Sequence, residues 1–192
     1  MILPIVAYGS PVLRKVCTDI SPDYPQLDKL IEDMWETMYN SKGVGLAAPQ
    51  INRDIRLFVM DSVQIIESLD DDEKKEYPND EGYKGVFINA KIAELNGEKW
   101  PYNEGCLSIP KIREDIYRDE EVTIDFLDEK FQPHKKTFNG ITARVILHEY
   151  DHIEGKLFID LLVPLKRKLL KRKLEDITKG KINVDYKMLF TK

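Results

Sequence analysis

The sequence is short of the residues that hold metals or staple small folds: its 192 residues include 2 Cys and 3 His. Two cysteines cannot build a multi-bridge secreted scaffold or a four-cysteine zinc module. Any metal centre must therefore use most of this small stock. Positive charge is short as well. Lys and Arg number 29 against 34 Asp and Glu, a formal net charge of −5. That excludes the strong positive field of a general DNA-coating protein. No run approaches the ~20 apolar residues that cross a bilayer, so no membrane partner is expected. No basic leader with a small-residue cleavage site opens the chain, and the cytoplasm is the expected location. Internal repeats and a phosphate-binding glycine loop are missing too. The length suits one domain, 1–192, and 42% hydrophobic residues can fill a core.

Pro4, Pro11, Pro22 and Pro25 keep regular structure short at the start of the chain. Leu27, Leu30, Ile31, Met34, Trp35 and Met38 then recur at spacings of three and four. This predicts a helix over 25–41, opened by Pro25 and stopped by Gly43. Residues 42–51, KGVGLAAPQI, make a poor helix and a poor strand, and their small side chains let another group approach the backbone. Strands are expected at 56–60, 86–89, 91–95, 122–126 and 135–138. The acidic run 67–81 is expected to be a solvated, mobile loop. Asn139–Gly140 opens a helix that Gly155 closes, with Ile141, Val145, His148 and His152 on one face. Leu165, Leu169, Leu170 and Leu174 predict a last helix with a basic outer face. The final NVDYKMLF, 183–190, reads as an edge strand or a tail that packs back. Strands without regular βαβ alternation imply an α+β fold. Its mainly antiparallel sheet would surround a central helix bearing the histidines, with an N-terminal and a C-terminal helix.

HEYDH, 148–152, is an H-E-x-x-H pattern. Residues i and i+4 share a helix face, so His148 and His152 can hold one ion. Glu149 sits about 100° round the helix, badly placed as a ligand but able to reach the ion's open position. Core histidines with ordinary hydrogen bonds are the alternative. A catalytic site of this kind needs a third protein ligand. No third His follows at the spacing of the longer zinc-protease motif. Cys17, Cys106, His134, Asp160 and Glu175 remain as candidates. Cys106 stands out, between Gly105 and Leu107 in the compact segment EGCLSIP, 104–110.

GVGLAAPQ (43–50), EGCLSIP (104–110) and HEYDH (148–152), in this order, resemble the peptide deformylase family, and YGSPVLRK (8–15) looks like its N-terminal segment. The likeness spans most of residues 1–160. Leu147 stands where the family commonly has Gln, which implies a local packing change, and the acidic loop is longer than the family's. The resemblance implies that Cys106, His148 and His152 bind one divalent ion. Fe2+ is the first choice, with Zn2+, Ni2+ or Co2+ as alternatives. It further implies that Glu149 is the general acid and base, and that Gln50 and the Leu107 N–H stabilise the oxyanion. Val44, Gly45 and Gly105 would pair with the substrate backbone, and Val44, Val145 and Ile141 would form an apolar pocket for methionine. Arg144 could instead reach the mouth and meet substrate charge. Glu104 would form an ion pair with Arg118, worth little if exposed. The implied activity is hydrolysis of the N-formyl group from the formyl-methionine of nascent polypeptides in bacterial protein biosynthesis, releasing formate. A zinc endopeptidase using the same H-E-x-x-H is the rival. Lys166, Arg167, Lys168, Lys171, Arg172 and Lys173 crowd the last helix. They read either as a solvated face or as a ribosome-docking surface over 165–173.

Overall fold

The computed structural model describes residues 1–190. Its elements begin with β1 (Ile5–Val6), α1 (Leu27–Asn40), β2 (Gly45–Ala47), β3 (Leu57–Asp61), α2 (Val63–Ser68) and α3 (Asp71–Lys74). They continue with β4 (Lys84–Asn96), β5 (Trp100–Cys106), β6 (Ile109–Arg118), β7 (Glu121–Leu127) and β8 (Pro133–Asn139), then α4 (Gly140–Ile153), α5 (Pro164–Thr178) and β9 (Met188–Leu189). The main sheet has the order β2-β3-β4-β7-β8, with every neighbouring pair antiparallel. β5 and β6 form a separate hairpin, and β1 pairs in parallel with β9. α4 packs on the main sheet, chiefly against β2 and β3. The α+β arrangement around a central histidine helix is therefore the one expected. Among the described residues no helix is long and apolar enough to cross a membrane.

Local chemistry explains most boundaries. α1 buries Leu27, Ile31, Met34 and Met38. It starts at Leu27 rather than Pro25 because Gln26 takes a left-handed conformation at φ 55°. The two strands expected at 86–89 and 91–95 are one strand, β4, with a bulge: Ile88 pairs with Leu127 but Lys91 with Asp125. Asn89 sits in that bulge at φ 52°, and its side-chain amide bonds both the N–H and the C=O of Ile20. The irregularity thus pins the proline-rich start of the chain to the sheet. The closing residues do pack back. The Ile5 and Ala7 N–H groups donate to the Lys187 and Leu189 carbonyls, both at 2.8 Å.

Two expectations need correction. The acidic run 67–81 is not a featureless mobile loop. It contains the end of α2 and all of α3, and Asp80 is buried. Asp80 accepts from the Thr142 backbone N–H at 2.8 Å and from the Thr142 hydroxyl, which also meets Ser62 Oγ at 2.6 Å. The first turn of a helix leaves N–H groups unpaired, so Asp80 caps α4 from 62 residues upstream. Nothing in an acidic run marks which carboxylate does this. The leucines of α5 also divide differently. Leu170, Leu174 and Ile177 are buried, whereas Leu165 and Leu169 point outward among the basic side chains.

Replacing the cap should be visible in stability. Asp80→Ala is expected to lower the unfolding free energy by about 1–2 kcal/mol in urea titrations. Asp72→Ala, on the exposed side of the same segment, should change it by less than about 0.5 kcal/mol.

Candidate metal centre

The helical spacing turns His148 and His152 to the inner face of α4, with ring centroids 5.1 Å apart. Cys106 reaches them from the hairpin. Gly105 pairs with Arg113 but Cys106 pairs with Ile109, so residues 110–112 of β6 bulge out of register. Pro110, with no N–H to donate, and Lys111 at φ 60° mark the bulge. The ligand atoms of Cys106, His148 and His152 lie within 4.8 Å of one another, and Cys106 Sγ is 3.2 Å from His152 Nε2. These separations fit a tetrahedral ion with metal–sulfur and metal–nitrogen bonds of about 2.3 and 2.0 Å. Burial pushes His152 well below its ordinary pKa, which favours the neutral, ligating form.

Glu104 is buried beside His148. It accepts from Arg118 Nε at 2.7 Å, Arg118 Nη2 at 3.1 Å and Arg144 Nη1 at 3.3 Å, and lies 2.9 Å from His148 Nδ1. With Nδ1 engaged, His148 presents Nε2 to the ion, the usual way of fixing a ligating imidazole. Glu104 and Arg118 are buried, so the pair is not a weak surface bridge. Burial pushes the Glu104 carboxyl up, but His148 and Arg118 outweigh it and hold it at about 2. Arg144 is not at the mouth. Its guanidinium is turned inward over the Trp100 ring and donates to the Trp100 carbonyl at 2.7 Å and the Ile116 carbonyl at 3.0 Å.

Glu149 is buried, and its Oε2 has no hydrogen-bond partner among the described residues. Burial pushes its carboxyl up to about 7, a value suited to exchanging protons near neutrality. Gly45 makes this position available. A Cβ there would stand 2.6 Å from Glu149 Cδ, so any side chain would displace the acid. Gln50 is oriented by its own neighbours. Its Oε1 accepts from the Ala47 N–H at 2.8 Å, which turns the amide nitrogen towards Cys106 Sγ (3.5 Å) and Ser108 Oγ (3.4 Å).

These groups face a cleft of about 680 Å³ whose lining includes Val44, Gly45, Gln50, Gly105, Leu107 and Val145. β2 borders the main sheet and β5 pairs only with β6, so both offer the cleft a free strand edge. Ile141, expected in the pocket, is enclosed in the core instead. Leu147 is buried in an apolar cluster with Phe58 and Phe87, where an apolar residue packs without an unpaired amide. Cys17 and His134 lie outside the centre. Burial pushes the Cys17 thiol up to about 12, and His134 pairs with Asp128 at 2.8 Å. Asp160 accepts from the Leu157 N–H, and Glu175 lies 3.9 Å from Lys171, so neither is the third ligand. Contributors to the cleft that the sequence did not point to include Ile65 of α2 and the tail residues 183–186. The tail had a readable signal, since apolar residues alternate from Ile182 to Phe190. Ile65 had none.

The family model for polypeptide deformylase matches residues 2–168. The chain is 54% identical to the peptide deformylase of Christiangramia forsetii, over 99% of this chain and 96% of that one. It is 49% identical to that of Cytophaga hutchinsonii, over 99% and 98%. Among solved structures, a peptide deformylase from Legionella pneumophila superposes with a TM-score of 0.77 at 35% identity, covering 94% of this chain and 98% of that one. That from Thermotoga maritima gives 0.72 at 34%, covering 85% and 99%.

The Glu104 contacts set a pH dependence. Its carboxyl is held at about 2 against an ordinary 4.5. The stability it contributes is therefore complete above the ordinary value and is lost as pH falls through the held one. Urea titrations at about pH 5, 4 and 3 should show stability falling with acid in the native protein. Glu104→Gln should start lower and fall less.

Proposed function

The chain belongs to the polypeptide deformylase family, and on that premise we propose that Cys106, His148 and His152 hold its metal, with Glu149, Gln50 and Leu107 as the reacting groups. The enzyme is a metal-dependent hydrolase that removes the N-formyl group from newly made polypeptides. The observation that carries the residue assignment is the convergence of one thiol and two imidazoles within 4.8 Å, beside an unpartnered buried carboxylate.

A divalent ion held there would supply Lewis-acid polarisation of the formyl carbonyl and would lower the pKa of water towards neutrality. Glu149 takes a proton from the attacking water through its free oxygen and delivers it to the departing amine. A carboxyl at about 7 can do both near neutral pH. The Gln50 amide nitrogen and the Leu107 N–H donate to the carbonyl oxygen as it gains charge. Ala47 holds the Gln50 amide before substrate arrives, so little reorganisation is needed. The free edges at Val44 and Gly45 on one side and Gly105 on the other align the substrate backbone by strand addition. Val44 and Val145 receive the methionine side chain. One thiolate with two imidazoles suits Fe2+, Zn2+, Ni2+ or Co2+, and we take Fe2+ as the working ion.

We take 1–192 as a single catalytic domain acting in the cytoplasm. We also propose that α5 docks on ribosomal RNA near emerging chains. Lys168, Lys171, Arg172 and Lys173 are exposed on an otherwise acidic protein, which supports this reading. Absence of ribosome association at low salt would sink it.

Anaerobic metal analysis paired with formate release from a formyl-methionyl peptide tests the site. Cys106→Ala should lose metal and turnover together. Glu149→Ala should keep its metal and lose turnover, and wild-type turnover in that variant would refute the assigned role. Gln50→Ala should raise the barrier by about 3 kcal/mol, roughly a hundredfold in kcat. Cleavage of an internal peptide bond would favour the endopeptidase reading instead.

A further inference from the structure

Leu107 and Ser108 form the tip of the β5–β6 hairpin, between the paired residues Cys106 and Ile109. Both tip carbonyls are held from outside the hairpin. The Ser108 carbonyl accepts from the Tyr8 N–H at 2.8 Å. The Leu107 carbonyl accepts from the Tyr186 hydroxyl at 2.8 Å. Tyr8 lies just after β1 and Tyr186 just before β9, and these two strands pair with each other. Two adjoining segments from distant parts of the chain therefore grip the tip next to Cys106.

The tail is built for this. Gly180, at φ 69°, turns the chain out of α5. From there Ile182, Val184, Tyr186, Met188 and Phe190 are half-buried while the residues between them are exposed, the period of an extended strand. Ile182, Met188 and Phe190 pack on the apolar cluster that contains Leu170 and Leu174 of α5. Tyr186 packs on a different cluster, which contains Met38 and Leu46. The tail is thus anchored at both ends, and between the anchors it forms part of the cleft wall. The family match ends at residue 168, before this segment begins.

We infer that Tyr186 is a positioning residue for deformylation, holding the Leu107 carbonyl so that the Leu107 N–H keeps its aim at the developing oxyanion. This rests on the reading of Leu107 as an oxyanion donor. A two-residue tip can swing its peptide groups about their flanking bonds. The Tyr186 bond fixes the 107–108 peptide, and through the shared Leu107 Cα it limits how far the preceding peptide, which carries the Leu107 N–H, can turn. A donor aimed in advance is worth more than one that must be recruited.

Tyr186→Phe keeps the ring in the wall and removes only the hydroxyl. On a formyl-methionyl peptide its kcat is expected to fall about tenfold, the worth of one hydrogen bond. KM should stay within about twofold, because ground-state contacts are untouched. Metal content should match the native protein, Tm should fall by no more than about 4 °C, and amide exchange across 106–108 should quicken. Wild-type kcat in Tyr186→Phe, or loss of metal or a larger fall in Tm accounting for the slower turnover, overturns the inference. Gln50→Ala separates the two levels. If it slows turnover while Tyr186→Phe does not, only the role of Tyr186 falls. If neither variant slows turnover, the oxyanion reading has failed and the inference falls with it.

Discussion

The Glu104 carboxylate is the contact on which the rest of the site depends. A buried charge is costly unless it is paired and hydrogen-bonded. Glu104 meets that demand with Arg118, Arg144 and His148, which come from β6 and α4. The same contacts join the hairpin that carries Cys106 to the helix that carries both histidines. Arg118 adds a second tie, to Asp151 of α4 at 2.6 Å. Removing one member would leave the others charged and buried, so the network sets the position of hairpin against helix. A tetrahedral ion needs its ligands placed within a few tenths of an ångström, and this network is how two separate pieces of chain reach that accuracy.

Space is the second constraint. Glu149 occupies volume that a side chain at position 45 would fill. The strand that brings Gly45 close also offers its free edge to the cleft. A small residue there therefore serves the acid and the substrate backbone together. The cap on α4 has the same economy. Asp80 comes from the acidic segment, and α2, which runs into that segment, supplies Ile65 to the cleft wall. The segment is therefore tied to the helix that carries the histidines, and cannot be treated as a dispensable insertion.

Much of the site was legible because its residues act through short-range geometry. His148, Glu149 and His152 share one helix, and the helical repeat alone says which side each faces. Cys106 was legible only through its surrounding segment and the resemblance that segment carries. The hairpin itself was not expected as a pair of strands. WPYNEGC holds a proline, and Arg113, Glu114 and Asp115 interrupt β6, so neither reads as alternating. Each becomes a strand because the other supplies its hydrogen bonds. The same limit hid Asp80, whose partner lies far along the chain, and the inward turn of Arg144, whose acceptors are backbone carbonyls.

By itself the sequence determined the three long helices, the i to i+4 placement of the histidines, the mixed α+β class and, through three ordered motifs, the family. Those are properties of local periodicity and of short segments. Tertiary structure alone decided that Glu104 joins hairpin to helix, that Asp80 caps α4, that Leu165 and Leu169 face outward, and that the tail brings Tyr186 to the Leu107 carbonyl. Each depends on which groups meet across long separations, and a buried polar group takes whichever partner the packed chain brings within reach.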